Sequence, residues 1–218
     1  MSKMAKWCVL PATVLLLGSA ALGQNPSSTG SPTGGSSPAS STAPKPPTVA
    51  ERKENQQDRI ANGVKSGQLT AGETASLESK EAAINGETRA DRAANGGKLT
   101  SAEKQQINRQ QNQLSKQIYQ DKHNANTAHY GNNEVGQRRE NQQDRIAQGV
   151  KSGQLTAGET AKLENQQKGI NQQVQADRAA NGGKLTPGEK KQINKEQNAA
   201  SKNIYNKKHN GNTQGPKK

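Results

Sequence analysis

Phenylalanine is absent from this sequence, and aromatic residues make up only 2% of its 218 residues. The single Trp, Trp7, and the single Cys, Cys8, both stand near the N-terminus, so three Tyr are the only aromatics after it. Hydrophobic residues reach 28%, well below the share an ordinary globular domain carries. A large core is therefore excluded, which leaves thin helical bundles or disorder, and periodicity decides between them. With Cys8 inside a leader, disulfides and thiol chemistry are excluded as well. The sequence also lacks G-x-S-x-G, H-E-x-x-H and G-x-x-x-x-G-K. Ser115 and Ser201 fall eight positions before His123 and His209, two helical turns away. Together these absences argue against an enzyme.

What is present begins with an export signal. Lys3 and Lys6 precede an apolar stretch from Trp7 to Leu22, broken by Pro11 and Gly18. Ala21-Leu22-Gly23 then supplies small residues for cleavage before Gln24. This reads as a signal peptide over 1–23 and an exported protein, periplasmic or secreted, with no retained transmembrane helix. Residues 24–50 are rich in Ser, Pro and Gly and read as a disordered tether.

The decisive feature is a tandem repeat. Residues 52–123 and 138–209 align without gaps at an offset of 86, and 50 of the 72 positions are identical. Residues 124–137, rich in Asn and Gly, separate the copies as a flexible linker, and 211–218 form a basic tail. The expected organisation is a helical module over 51–123 and another over 138–210.

Each copy contains a smaller echo, G-x-L-T-x-x-E, at Gly67 to Glu73 and Gly97 to Glu103, and again at Gly153 to Glu159 and Gly183 to Glu189. Gly stops one helix in the left-handed conformation, Thr caps the next, and Glu reaches back to complete a capping box. Pro187 occupies a first helical position, where its missing N–H costs nothing. The spacing predicts helices near 52–65, 70–94 and 100–122, with equivalents 86 residues on. Ile60 and Val64, then Leu77 and Ile84, then Ile107, Leu114 and Ile118 each fit one narrow helical face. The fold class is all-α, with about three helices per module. Nine large aliphatics against some seventy ordered residues leave each module marginal. Pairing of the modules, self-association or a ligand would then have to support it.

The same turns resemble the second half of an EF-hand calcium loop, where Gly makes the sharp turn and Glu closes the ligand set. That resemblance implies low-affinity calcium binding at four loops, the first closed by Glu73, the second holding Asp91, Asn95 and Glu103, the third closed by Glu159, and the fourth holding Asp177, Asn181 and Glu189. Val64 and Val150 stand where ligands belong, and an extra Gly lengthens the second and fourth loops. Plain capping explains the same residues without metal. His123 and His209 read as C-terminal helix caps.

Formal net charge is +13. Residues 52–123 hold 12 Lys and Arg against 9 Asp and Glu, and 138–209 hold 14 against 7. The excess points to a polyanionic partner of the envelope or extracellular space. It comes with no specific nucleic-acid motif and few aromatics for stacking bases.

The repeats opening R-x-x-N-Q-Q-D-R-I-A-x-G-V-K-S-G-Q-L-T-A-G-E and closing S-K-x-I-Y-x-x-K-H-N resemble a family of exported bacterial proteins of uncharacterised function. The resemblance covers nearly all of both repeats and implies a bacterial envelope or secreted setting. It implies no activity, cofactor or site residues.

Overall fold

The computed structural model describes residues 45–214. The leader (1–23), most of the Ser/Pro/Gly tract and the last four residues lie outside it. Within it the chain is all-helical, and no strand occurs among the described residues. The helices are α1 (Val49–Lys65), α2 (Ala71–Ala94), α3 (Ser101–Lys122), α4 (Glu134–Lys151), α5 (Ala157–Ala180) and α6 (Pro187–Lys208).

Five of the six start in a Thr-x-x-Glu capping box, at Thr48, Thr70, Thr100, Thr156 and Thr186. In each, the Thr side chain accepts the N–H of the Glu, and the Glu carboxylate accepts the N–H of the Thr. Helix α4 starts instead on Asn133, whose Oδ1 accepts the Gly136 N–H at 3.0 Å. Two helices begin earlier than their apolar periodicity implies. Thr48-Val49-Ala50-Glu51 is itself a capping box, and Val135, inside the segment expected as linker, is buried at the start of α4.

Gly67, with φ of 71°, ends α1, and its N–H returns to the Val64 carbonyl at 3.1 Å. Leu69 then folds back onto α1, its N–H donating to the Gly63 carbonyl at 3.0 Å. The fit needs glycine at 63, because a Cβ there would lie 2.7 Å from Leu69 Cγ and Cδ1. Gly149 and Leu155 repeat the arrangement at 2.6 Å.

The helices of the two repeats pack on one another, and the described residues belong to one compact unit. Helix α2 lies against α5 and α1 against α4, while α3 and α6 flank their own repeats. Ala147 of α4 joins the aliphatic cluster of the first repeat, around Ile60, Leu77, Ile107 and Ile118. Reciprocally, Ala61 of α1 joins Ile146, Val150, Leu155, Leu163 and Ile204 in the second. The smaller Ala200, where the first repeat has Leu114, sits in a cluster that gains Val174 where the first repeat has Thr88.

Glutamine side chains bridge the helices of this slender core. Gln56 Nε2 donates to the Gln111 carbonyl at 2.6 Å and to Ser115 Oγ at 2.8 Å, and Gln111 Nε2 donates to the Val49 carbonyl at 2.9 Å. Gln142 and Gln197 make the same bonds to Gln197, Ser201 and Val135. A long neutral amide thus ties α1 to α3, and α4 to α6, where an aliphatic side chain would otherwise be needed.

Candidate functional site

The glutamates of the four loops are all engaged at helix starts. Glu73 Oε2 accepts the Thr70 N–H at 2.9 Å, and its Oε1 accepts amide N–H groups of Asn124 at 2.8 Å and Asn126 at 3.1 Å. Glu159 is held likewise by Thr156, Asn210 and Asn212. Burial alone would raise Glu73, but these bonds more than reverse it and hold the carboxyl below its ordinary range.

Glu103 accepts the Thr100 N–H at 2.7 Å and the Asn95 amide at 2.8 Å; Glu189 accepts from Thr186 and Asn181, both at 2.8 Å. The Asp91 and Asp177 carbonyls accept the other bonds of Asn95 and Asn181, each at 2.8 Å. Asp91, Asn95 and Glu103 are thus brought together, but through an amide nitrogen that donates in both directions. Among the described residues, no group of three or more His, Cys, Asp or Glu gathers where it could hold a metal ion.

His123 and His209 cap α3 and α6. Each Nδ1 lies 2.7 Å from the carbonyl of the Tyr four residues earlier, and each ring stacks on that Tyr at 4.2 Å.

A second group of carboxyls was not visible in the sequence. Glu78 and Glu81 of α2 and Glu164 of α5 are all buried, and Glu78 lies near both of the others. Glu78 Oε2 accepts from Gln57 Nε2 at 3.0 Å, and Glu164 Oε2 from Gln143 Nε2 at 2.8 Å. The other oxygen of each has no hydrogen-bond partner among the described residues. Removal from water pushes both acids up to about 8, and the neighbouring Glu81 and Glu164 add to the shift of Glu78. Burial likewise raises Glu81 to about 7, against the pull of Lys53. Lys53 is itself lowered by burial. The second repeat carries neutral Gln167 where the first has Glu81, and Gln167 Nε2 donates to Gln142 Oε1 at 3.0 Å. Thr74, Glu78, Glu81 and Thr88 share one face at helical spacing, and that polar stripe was the available signal.

Clustered cations line two open grooves. One, of about 330 Å³, has Arg178, Lys184 and Lys190 around Val135 and Leu185, with Glu134 as its acid. The other, of about 370 Å³, lies between α1 and α4, with Lys65, Arg145 and Lys151 over Ala61 and Ala147 and Asp144 as its acid. Across the described residues no helix is long and apolar enough to cross a membrane. In comparisons with known proteins, no family model matches the chain, and neither curated proteins nor solved structures give a match.

Proposed function

We propose that this is an exported, non-enzymatic interaction protein that engages a polyanionic partner of the envelope or extracellular space, with the Ser/Pro/Gly tract as its tether. Each repeat serves as one three-helix module, and the cations of the two grooves make the contacts. The supporting observation is where the acids go. Residues 51–218 contain 28 Lys and Arg against 18 Asp and Glu. Five of those carboxylates, at Glu51, Glu73, Glu103, Glu159 and Glu189, are engaged in capping boxes. Glu78 and Glu164, with burial raising them to about 8, are mostly neutral at pH 7. Counting only the remaining 16 acids takes the excess over these residues from +10 to +12. The surface a polyanion meets is more basic than the composition suggests.

A salt titration tests this. The full chain is expected to bind an anionic polymer such as polyphosphate at low ionic strength and to release it as screening lengths shorten. Lys184→Ala with Lys190→Ala should weaken binding and flatten the salt dependence. Binding that survives high salt, or that never appears at low salt, overturns the proposal.

A further inference from the structure

The seam between the repeats has a property that neither repeat shows alone. Beside Gly72 on α2 lies Lys168 of α5, whose Cδ is 3.6 Å from where a Gly72 Cβ would stand. Beside Gly158 on α5 lies Ala82 of α2, at 3.9 Å from where a Gly158 Cβ would stand. With the 86-residue offset removed, Lys168 becomes position 82 and Gly158 becomes position 72. The two contacts are therefore one contact made twice, with the partners exchanged, and α2 and α5 run antiparallel there.

The same holds along the seam. Ala61 enters the second cluster as Ala147 enters the first, and Glu78 lies near its own equivalent, Glu164. Such a surface is isologous: it pairs with a copy of itself. A second molecule of this chain presents both halves of it.

The crossover between the halves is short. The Ala128 N–H donates to the Gly67 carbonyl at 2.8 Å, which keeps the segment after α3 on the first repeat. Two residues on, Tyr130 lies under the Arg139 guanidinium, 5.3 Å from ring centroid to Cζ, and so belongs to the second. A change of direction confined to residues 128–130 carries α4, α5 and α6 away as a unit, with the helix contacts of each repeat intact.

We infer that this chain exchanges repeats with a second copy of itself: the α1–α2 face of one molecule takes the α4–α5 face of another, and two seams close where each molecule alone closes one. The seam contacts are the same in both forms, so tether entropy and the strain of the crossover decide between them. Closure within one chain wins when dilute, and exchange competes as concentration approaches the effective concentration of a short tether, on the order of millimolar. The inference rests on the geometry of the seam and stands apart from the polyanion proposal.

Ala82→Cys with Gly158→Cys reads this directly, because the Cβ separation of 3.9 Å suits a disulfide. Cys8 is the only native thiol and is replaced by Ser. The full chain is unfolded, then refolded and oxidised at about 1 mM and at about a hundredth of that, spanning the effective concentration of the tether. Non-reducing electrophoresis should show the intrachain bond when dilute, and a covalent dimer whose share rises with concentration. Refolding the unsubstituted chain under the same conditions and sizing it by light scattering gives a second readout if the cysteines disturb folding. Intrachain bonds alone at both concentrations, with no dimer of the unsubstituted chain, overturn the inference. A disulfide that forms in neither condition overturns the seam on which it rests.

Discussion

Glu78 and Glu164 lie near one another across the contact of α2 with α5, each fully buried, each giving one carboxyl oxygen to a glutamine of its own repeat: Gln57 at 3.0 Å and Gln143 at 2.8 Å. Burial raises both acids from an ordinary 4.5 to about 8, and Glu81 beside them to about 7. A carboxyl raised in the folded state holds its proton there after the unfolded chain has lost it. Its neutral form therefore favours the fold fully below about 4.5, and that advantage is lost as pH climbs to about 8. Thermal melts should show a falling melting temperature from pH 5 to pH 8.5. Glu78→Gln with Glu164→Gln should flatten that slope, as Gln167 already does for one position of the second repeat. A melting temperature unchanged between pH 5 and pH 8.5 in the native sequence would contradict the burial of these acids.

The limits of the sequence can be seen at this pair. The letters around Glu78 match those of a solvated helix face, and its burial depends on a helix whose matching residue lies 86 positions later. Helix boundaries were legible for the opposite reason, since stop and start signals such as Gly67 and Thr70 act within a few residues of each other. The N-Q-Q triplets contribute nothing to the apolar periodicity, although Gln56 and Gln142 are core ties between helices. Asn124 and Asn126 read as linker, Asn210 as the end of the second module and Asn212 as tail, whereas they complete the caps at Glu73 and Glu159.

Glycines of the same repeat should respond in opposite ways to alanine. At Gly63 the new methyl would meet buried Leu69 at 2.7 Å, so Gly63→Ala forces the turn to shift and should cost about 1–3 kcal/mol. Gly86, inside α2, has nothing within 4 Å of where its methyl would stand, and Gly86→Ala should add roughly 0.5–1 kcal/mol from helix propensity. Urea denaturation of the two variants checks both signs. Equal effects would remove the Leu69 packing argument.

Gln214 closes the second repeat onto the first. Its Nε2 donates to Gln57 Oε1 at 2.8 Å and to the Leu155 carbonyl at 2.7 Å, while its own carbonyl accepts from Lys53 Nζ at 3.0 Å. Gln57 in turn holds Glu78, so the C-terminal segment supports the buried acid through one intermediate. Gln214→Ala leaves two acceptors without their donor and should destabilise the chain by about 1–3 kcal/mol. Native-state hydrogen exchange should show the loss at the α4–α5 turn and in α1 together. Faster exchange confined to residues 211–214 would show that the clamp does not couple the repeats.

The loop glutamates divide capping from calcium binding. In Glu73 and Glu159 both oxygens already accept hydrogen bonds, from a Thr at the helix start and from Asn side chains beyond the third helix. A calcium ion would have to displace those donors and then complete a set of six or more oxygens, and among the described residues no group of three or more His, Cys, Asp or Glu gathers to begin one. Capping predicts that melts of the chain in millimolar calcium and in chelator overlay. It also predicts that Thr156→Ala, which removes one half of a box, costs about 1 kcal/mol whether or not calcium is present. A ligand that prefers the native state must raise the melting temperature, so a calcium-dependent rise abolished by Glu159→Gln would establish a site where the hydrogen bonds place only a cap.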